Sequence, residues 1–263
     1  MNEKIYHVDA FSGKPFAGNP AAVCLLKSKR PTLWMQSIAA EMNLSETAFL
    51  LPEGDGYRLR WFTPRVEVEL CGHATLASAH VLYETNEAGA DATIQFHTKS
   101  GLLKANRRGR WVELDFPSQP PLPEFLPGDV YAALGIRSGV ASRFENKILI
   151  ELESESAVRG LHPDFVRLSE ATKHEVIITS KAETRGFDFV SRFFAPEVGI
   201  NEDPVTGSAH CVLTPYWSQK LRKKEMKACQ VSERGGILKV KLGKDRVFIQ
   251  GQAVTLAEGL LAV

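Results

Sequence analysis

The sequence of 263 residues has little of what marks a specialised class of protein. It contains no apolar run of about 18 residues, which excludes a membrane-spanning helix. Its formal net charge is only +1, so the composition does not indicate a polyelectrolyte partner. The one basic cluster, at residues 220–224, follows a predicted helix, and cations stabilise the C-terminus of a helix. We therefore expect neither a membrane nor a nucleic-acid partner.

Cysteine is scarce, and nucleotide-binding motifs are missing. The four cysteines are Cys24, Cys71, Cys211 and Cys229, and no two of them form a Cys-x-x-Cys pair. Because the first predicted strand begins by Ile5, no room is left for a signal peptide. We expect a reduced, cytoplasmic protein with unpaired thiols. The sequence has neither a Gly-x-Gly-x-x-Gly fingerprint nor a P-loop, so it indicates neither a dinucleotide nor ATP.

The bulk composition and the prolines predict an ordinary globular chain in two parts. The hydrophobic fraction of 44% and the charged fraction of 24% are typical of globular proteins. A chain of 263 residues is long enough for two domains that each bury a core. Residues 116–127 contain five prolines and are the best candidate for a linker. The predicted halves are residues 1–117, with a last strand at about 252–263 returning to them, and residues 118–251.

Two similar segments indicate that the halves arose by internal duplication. Residues 192–198 (RFFAPEV) match residues 60–66 (RWFTPRV), and each segment precedes a glycine-containing turn and a small-residue helix. Chance similarity between two strand–turn–helix units is the alternative. The first helix, at 74–83, is apolar on nearly every face, which predicts burial on all sides. The second contains Pro215, which we expect to kink the helix or end it early.

The order of the predicted elements indicates the fold class, and the position of Glu46 indicates a candidate acid or base. Strands and helices are mixed rather than strictly alternating, so we predict an α+β fold instead of a doubly wound parallel sheet. Glu46 stands at the head of an apolar predicted strand. Burial raises the pKa of a carboxyl group, which suits a general acid or base near neutral pH. The alternative is an exposed glutamate just beyond a helix end.

The two helix starts carry further candidates for substrate binding. His73 and Asp203 occupy equivalent places, where the helix dipole favours a negative charge. Asp203 could instead be a simple N-cap or turn residue. Gly72, Gly207 and Ser208 would let backbone amides approach a carboxylate. The alternative for each glycine is turn geometry alone.

Asn19 and a group of possible metal ligands are the remaining polar features. Asn19 precedes a proline, so it either donates to a ligand or simply forms a turn. The possible metal ligands are Cys71, His73 and His80, with the adjacent pair at 210–211. Their spacing fits no structural zinc pattern, and we expect the histidines at 80 and 210 to bond locally within helices. We therefore predict no metal site.

Five segments, in order along the chain, resemble the phenazine biosynthesis-like (PhzF-like) isomerase family. They are residues 8–11, 16–23, 43–49, 71–75 and 202–210. The resemblance implies a diaminopimelate epimerase-like fold, with two pseudo-symmetric α/β halves that each form a strand barrel around a central helix. It places the active site in the cleft between the halves. It also implies a homodimer, a small carboxylic acid as substrate and no cofactor.

The resemblance assigns roles to residues of this sequence. In that family the residue matching Glu46 is the acid/base. The residues that help to bind or orient the substrate match His73, Asp203 and Ser208. Three more positions lie near them: Gly72, Gly207 and Asn19.

The chemistry implied by the resemblance depends on the thiols. Cysteine-dependent epimerases of this fold carry a cysteine at each helix start. Here Cys71 stands at the first start, but residues 203–206 offer no thiol at the second, and Cys211 lies a turn further along. We therefore favour an isomerase that moves a proton and a double bond with one carboxylate. An epimerase or racemase of a small amino or hydroxy acid, using Glu46 with Cys71, stays open. So does a non-catalytic binding or interaction protein that kept the fold.

Overall fold

The computed structural model describes residues 3–263, and contacts divide the chain into two compact units. Unit 1 comprises the described residues up to Phe116 together with Phe248–Val263, and unit 2 comprises Pro117–Val247. The strands are β1 (Glu3–Ala10), β2 (Asn19–Leu25), β3 (Glu46–Glu53), β4 (Gly56–Phe62), β5 (Glu67–Val68), β6 (Ile94–Thr98), β7 (Gly101–Arg108), β8 (Trp111–Pro117), β9 (Leu122–Pro123), β10 (Val140–Phe144), β11 (Lys147–Glu151), β12 (Glu175–Lys181), β13 (Phe189–Phe194), β14 (Glu225–Gln230), β15 (Gly236–Leu242), β16 (Arg246–Gly251) and β17 (Ala253–Leu261). The helices are α1 (Thr32–Met42), α2 (Gly72–Glu84), α3 (Gly128–Leu134), α4 (Glu155–Arg159), α5 (Phe165–Ala171) and α6 (Gly207–Leu221).

Unit 1 is a mixed sheet that packs against one buried helix. Its strands run in the order β17-β1-β2-β3-β4-β6-β7-β8, with β2–β3 and β4–β6 parallel and the other neighbours antiparallel. Helix α2 contacts β1, β2, β3, β7 and β17. Eleven of its 13 residues are buried, as expected for a helix without a polar face. The predicted helix at 74–83 is thus confirmed and begins two residues earlier.

Unit 2 repeats the strand pairing of unit 1. Strands β10–β11, β12–β13 and β14–β15 are antiparallel, while β11–β12 and β13–β14 are parallel. The same alternation runs from β1 to β7 in unit 1 when the short strand β5 is left out. Each unit also inserts one helix, α2 or α6, at the second parallel crossover. The predicted mixed α+β order is confirmed.

The two matching segments make the same side-chain contacts in their own units. Arg60 Nε lies 2.7 Å from Glu67 Oε1, and Arg192 Nε lies 2.7 Å from Glu202 Oε1. Each guanidinium also stacks over the phenylalanine two positions later, at 5.1 Å in unit 1 and 5.0 Å in unit 2. Equal contacts at equal topological positions support internal duplication over chance similarity.

Pro215 was predicted to kink its helix or to end it early; early termination was wrong, because α6 continues to Leu221, and a kink stays a prediction. A proline lacks the backbone N–H that would bond the carbonyl four residues earlier. Here that carbonyl, on Cys211, accepts a hydrogen bond from the backbone N–H of Gln119 at 3.0 Å. The buried carbonyl is therefore satisfied by another part of unit 2, and the helix continues past Pro215.

The proline-rich segment at 116–127 is bound to unit 2 along much of its length. The backbone N–H of Ser118 donates to Asp245 O at 2.9 Å, and β9 pairs with β10. The boundary between the two units, between Phe116 and Pro117, falls in the segment predicted to be the linker, and the rest of that segment belongs to unit 2. None of the helices in residues 3–263 is long and apolar enough to cross a membrane. All four cysteines are free.

Candidate active site

The first part of the site is assembled at the N-terminal ends of two parallel strands. Ala21 of β2 pairs with Glu46 of β3, and this is the first pair of the parallel ladder. The residues that precede Ala21 therefore lie beside those that precede Glu46. Asn43 ends α1 in a left-handed conformation with φ 48°, and the chain then turns into β3. Asn19, which begins β2, and Ser45, which precedes β3, are brought together by this register. The Ser45 hydroxyl donates to Asn19 Oδ1 at 3.2 Å.

The second part is the first turn of α2. Cys71 is the N-cap residue, and its carbonyl accepts from the Thr75 hydroxyl at 2.6 Å. Gly72 and His73 are the first two helical residues, and both are buried. The side chain of Cys71 makes no capping hydrogen bond to the first turn of α2. The first-turn amides and the helix dipole therefore favour an anion at this place.

Glu46 and His73 meet across the two parts. His73 Nε2 lies 3.1 Å from Glu46 Oε2, and the two side chains are only 6% and 12% exposed, in that order. The expectation of an exposed glutamate beyond a helix end was therefore wrong, since this carboxylate is shielded from most solvent. The imidazole N–H that donates to Glu46 also fixes the direction of the carboxylate.

Asn19 bonds the other side of the imidazole ring. Its Nδ2 lies 3.1 Å from His73 Nδ1. When the ring is neutral, Nδ1 accepts from this amide and Nε2 carries the proton that Glu46 receives. When the ring is charged, Nδ1 becomes a donor, so it no longer accepts from the Asn19 amide and has Cys71 Sγ 3.5 Å away as an acceptor. In both states Nε2–H donates to Glu46, so the pair persists.

Burial and neighbouring charges set the protonation of His73 and Cys71. Burial acts to lower the pKa of His73, but Cys71 and Glu46 outweigh it and raise this pKa well above its usual value. Burial, together with the charge of Glu46, raises the pKa of the Cys71 thiol to about 11. Cys71 is therefore a neutral thiol near neutral pH, so the charge that acts on His73 in that range is that of Glu46.

Glu46, Cys71 and His73 form the one group of three possible metal ligands among the described residues, with ligand atoms within 4.8 Å of one another. The possible ligands identified from the sequence did not include Glu46, and they included the histidines at 80 and 210 instead. His80 lies in α2 and contacts Glu84 at 3.5 Å, and His210 lies in α6 with Nδ1 2.8 Å from the Thr206 carbonyl. The prediction of local bonding is confirmed for His210, but His80 Nε2 also lies 3.2 Å from Thr255 Oγ1 on β17, so its bonding is not only local. Spacing alone could not place Glu46 beside Cys71.

Unit 2 carries the other predicted residues. Gly207 and Ser208 begin α6, as Gly72 and His73 begin α2, and Ser208 is half-buried. The N-cap residue is Thr206, so Asp203 is not the N-cap and lies in the turn before it. The prediction that Asp203 is equivalent to His73 was also wrong, because Ser208 takes that place in α6. Asp203 is buried and accepts a short hydrogen bond from the Thr206 hydroxyl.

Gln230 supports this turn, although no sequence motif indicated it. Its side-chain oxygen accepts from the Thr206 backbone N–H at 2.9 Å, and its Nε2 donates to the Asp203 carbonyl at 2.7 Å. Gln230 ends β14, far along the chain from the helix start it supports. No local pattern marks such a residue. Ser45, which orients Asn19, did lie inside one of the recognised segments.

Comparison with known proteins gives one consistent family. The sequence profile of the family described as "Phenazine biosynthesis-like protein" matches residues 8–259. An uncharacterized isomerase of Halalkalibacterium halodurans is 54% identical over 97% of both chains. An uncharacterized isomerase of Pseudomonas aeruginosa is 48% identical over 98% of both. The crystal structure of a PhzF-family phenazine biosynthesis protein from Enterococcus faecalis is similar with a TM-score of 0.95, at 42% identity and complete coverage of both chains.

Proposed function

Because the chain belongs to the phenazine biosynthesis-like family and is an isomerase with the diaminopimelate epimerase-like fold, we propose that Glu46 is its single general acid/base. In this proposal Glu46 removes a proton from a carbon of a small carboxylic acid. It returns the proton to another carbon on the same face, and the double bond moves between them. No cofactor takes part.

The observation that carries the proposal is the shielded pair of Glu46 and His73. The carboxylate is 12% exposed and accepts a hydrogen bond from His73 Nε2 at 3.1 Å. This bond fixes one oxygen and leaves the second oxygen to approach a substrate carbon. A positioned acid or base contributes about 10²–10⁴-fold to a rate. The carboxylate is held in a place where little water competes for it.

The start of α2 supplies the electrostatic part of the proposed mechanism. Negative charge develops on the substrate when its proton leaves, and preorganised donors stabilise that charge. The first-turn amides of α2, beginning at Gly72, lie next to the Glu46–His73 pair. They are suited to bind the substrate carboxylate or the developing charge. Substrate-binding roles for Asp203, Gly207 and Ser208 stay predictions, as do a homodimer and a cytoplasmic location.

An epimerase that uses Glu46 with Cys71 is the second candidate, because the sulfur lies within 4.8 Å of a Glu46 oxygen. Inverting a carbon centre is easiest with two bases, one on each face, and the reactive form of cysteine is the thiolate. The pKa of Cys71 is raised to about 11, chiefly by burial, so little thiolate is present near neutral pH. The single-carboxylate isomerase therefore has the stronger support.

Solvent deuterium exchange tests the proposal and does not require the substrate to be identified first. The purified protein is incubated in deuterated water with a panel of small carboxylic acids, and mass spectrometry scores deuterium on carbon. We expect exchange with the unaltered protein and a loss of about 10²-fold or more with Glu46→Gln. Glu53→Gln is the matched control, because Glu53 lies at the other end of β3 in an exposed pair with Arg58.

The outcomes separate the candidates. Unchanged exchange in Glu46→Gln would reject Glu46 as the base. The epimerase would be favoured if the unaltered protein inverts a carbon centre of its substrate and Cys71→Ser loses exchange. Binding of an acid without any deuterium incorporation would indicate a binding protein that kept the fold.

A further inference from the structure

A cavity of unit 1 lies at the opposite end of α2 from the candidate active site. It is lined by the last turns of α2, the turn between β7 and β8, the start of β17 and the loop after β1, all of which belong to unit 1. Its volume is about 570 Å³, within the range of about 300–1,000 Å³ that is usual for small-molecule sites. Along α2, His73 and Glu84 are separated by about 16 Å, so this cavity is distinct from the Glu46–His73 pair.

The turn between β7 and β8 brings two arginines to one wall of the cavity. Arg108 pairs with Trp111, which leaves Gly109 and Arg110 as a two-residue loop, and Gly109 has a φ of 63°. Arg107 and Arg110 both line the cavity. Arg107 Nε donates to the Gly109 carbonyl at 3.2 Å, so its guanidinium lies against the loop that carries Arg110.

Arg107 is held in place, but most of its hydrogen-bonding groups are not used by the described residues. Its guanidinium carbon lies 5.9 Å from the centroid of the Tyr83 ring, and the Tyr83 hydroxyl donates to the Ala92 carbonyl at 2.7 Å. Among residues 3–263, the terminal nitrogens of Arg107 make no hydrogen bond or ion pair, and neither does the side chain of Arg110. A guanidinium group offers parallel N–H donors that match the oxygens of a carboxylate or a phosphate.

His80 and Glu84, on the last turns of α2, complete the titratable groups around the cavity. The Thr255 hydroxyl donates to Glu84 Oε2, and Thr255 Oγ1 lies 3.2 Å from His80 Nε2. Burial lowers the pKa of His80, and Arg107 adds to this effect against the opposing charge of Glu84. His80 is therefore neutral near neutral pH. The two guanidinium groups and the one carboxylate leave an excess of one positive charge around the cavity.

We propose that this cavity binds a small organic anion, whose carboxylate or phosphate group is held by Arg107 and Arg110. The excess positive charge attracts a negatively charged molecule, and the cavity walls limit its size. Glu84 opposes the binding of an anion and so reduces its affinity. The inference does not depend on the reaction proposed for Glu46, because the two places share no residue.

Isothermal titration calorimetry of the purified protein tests the site with three probes, namely citrate, inorganic phosphate and adenosine monophosphate. At low salt we expect one equivalent of at least one probe to bind, and added sodium chloride to weaken its binding. Arg110→Met keeps an unbranched side chain but removes the charge, so it should weaken binding by at least about tenfold. Arg107→Met should weaken binding to a similar extent.

Two further variants are the controls. Arg185→Met removes an exposed arginine of unit 2 and should leave binding unchanged. Glu84→Gln removes the opposing charge and should strengthen binding by about two- to tenfold. A gain of affinity cannot arise from a general loss of structure. Thermal melting shows whether each variant is folded.

The outcomes decide whether the site exists and which group it recognises. Absence of binding by all three probes, or binding that Arg110→Met leaves unchanged, would overturn the inference. Equal weakening by Arg185→Met and Arg110→Met would also overturn it, because net charge rather than a site would then attract the anion. Arg110→Met decides the matter if Arg107→Met does not fold. Binding of citrate alone would identify a carboxylate ligand, and binding of either phosphate probe alone would identify a phosphate ligand.

Discussion

At the scale of single residues, the direction of Glu46 depends on a short series of hydrogen bonds. Ser45 holds the Asn19 amide, Asn19 contacts His73, and His73 donates to Glu46. Each member is polar and partly or fully buried, so a missing partner would leave an unsatisfied group. The series makes His73 a positioning residue for the proposed base, in addition to any contact with substrate.

Replacing His73 tests that positioning role. His73→Leu removes the donor to Glu46 and should lower deuterium exchange by about 10–100-fold, because an unfixed carboxylate samples other directions. His73→Gln keeps an N–H donor and should recover part of the loss. The measurement is the exchange rate, with thermal melting to show that both variants fold. Equal losses in the two variants would contradict a role through hydrogen bonding.

How much of the site the sequence could predict also follows from these residues. Glu46, His73 and Asn19 were identified from recognisable segments, and the structure brings them together in unit 1. Their contacts could not be predicted, since they require the register in which Ala21 pairs with Glu46. A parallel pairing depends on contacts distant in sequence, which local patterns do not record.

At the scale of elements, α6 shows where local patterns fail. Small residues after a glycine turn predicted the helix, and the proline rule predicted a kink or an early end at Pro215. The helix does not end there because the carbonyl of Cys211 is satisfied from residue 119, in the segment whose prolines indicate a linker. The duplicated segments were predictable because a repeat is visible in the sequence itself.

A backbone donor at residue 119 is therefore predicted to stabilise α6. Gln119→Pro removes the N–H that bonds the Cys211 carbonyl, whereas Gln119→Ala keeps it. We expect Gln119→Pro to lower the free energy of unfolding by about 1–3 kcal/mol more than Gln119→Ala, the cost of an unsatisfied buried group. Urea unfolding followed by circular dichroism gives both values. Equal stability of the two variants would show that the carbonyl finds another donor.

At the scale of the whole molecule, each unit contains a carboxylate held ionised by its partners. Hydrogen bonds from Arg60, together with Lys99, overcome burial and lower the pKa of Glu67 to about 2. Burial acts to raise the pKa of Glu155, but hydrogen bonds from Thr184 and Arg159 lower it to about 2. Both groups have an ordinary pKa of 4.5.

These depressed pKa values predict how the protein responds to acid. A carboxyl whose pKa is lower in the folded state stabilises it fully above pH 4.5, and this contribution is lost as the pH falls toward about 2. We expect the free energy of unfolding to decline over that window, with Glu155 contributing on the order of 2–3 kcal/mol. Glu155→Gln should lower stability at pH 7 and flatten the decline.

The contrast with an exposed carboxylate decides whether specific partners cause the acid sensitivity. Glu233 is exposed, so Glu233→Gln should leave both the stability at pH 7 and its decline in acid close to those of the unaltered protein. Denaturant unfolding at several pH values between about 2 and 7 gives, for each variant, the slope of the free energy of unfolding against pH. If Glu155→Gln and Glu233→Gln showed the same slope, net charge would govern acid unfolding. A flatter slope in Glu155→Gln alone assigns the effect to the bonds that Glu155 accepts from Arg159 at 2.8 Å and from the backbone of Thr184 at 2.9 Å.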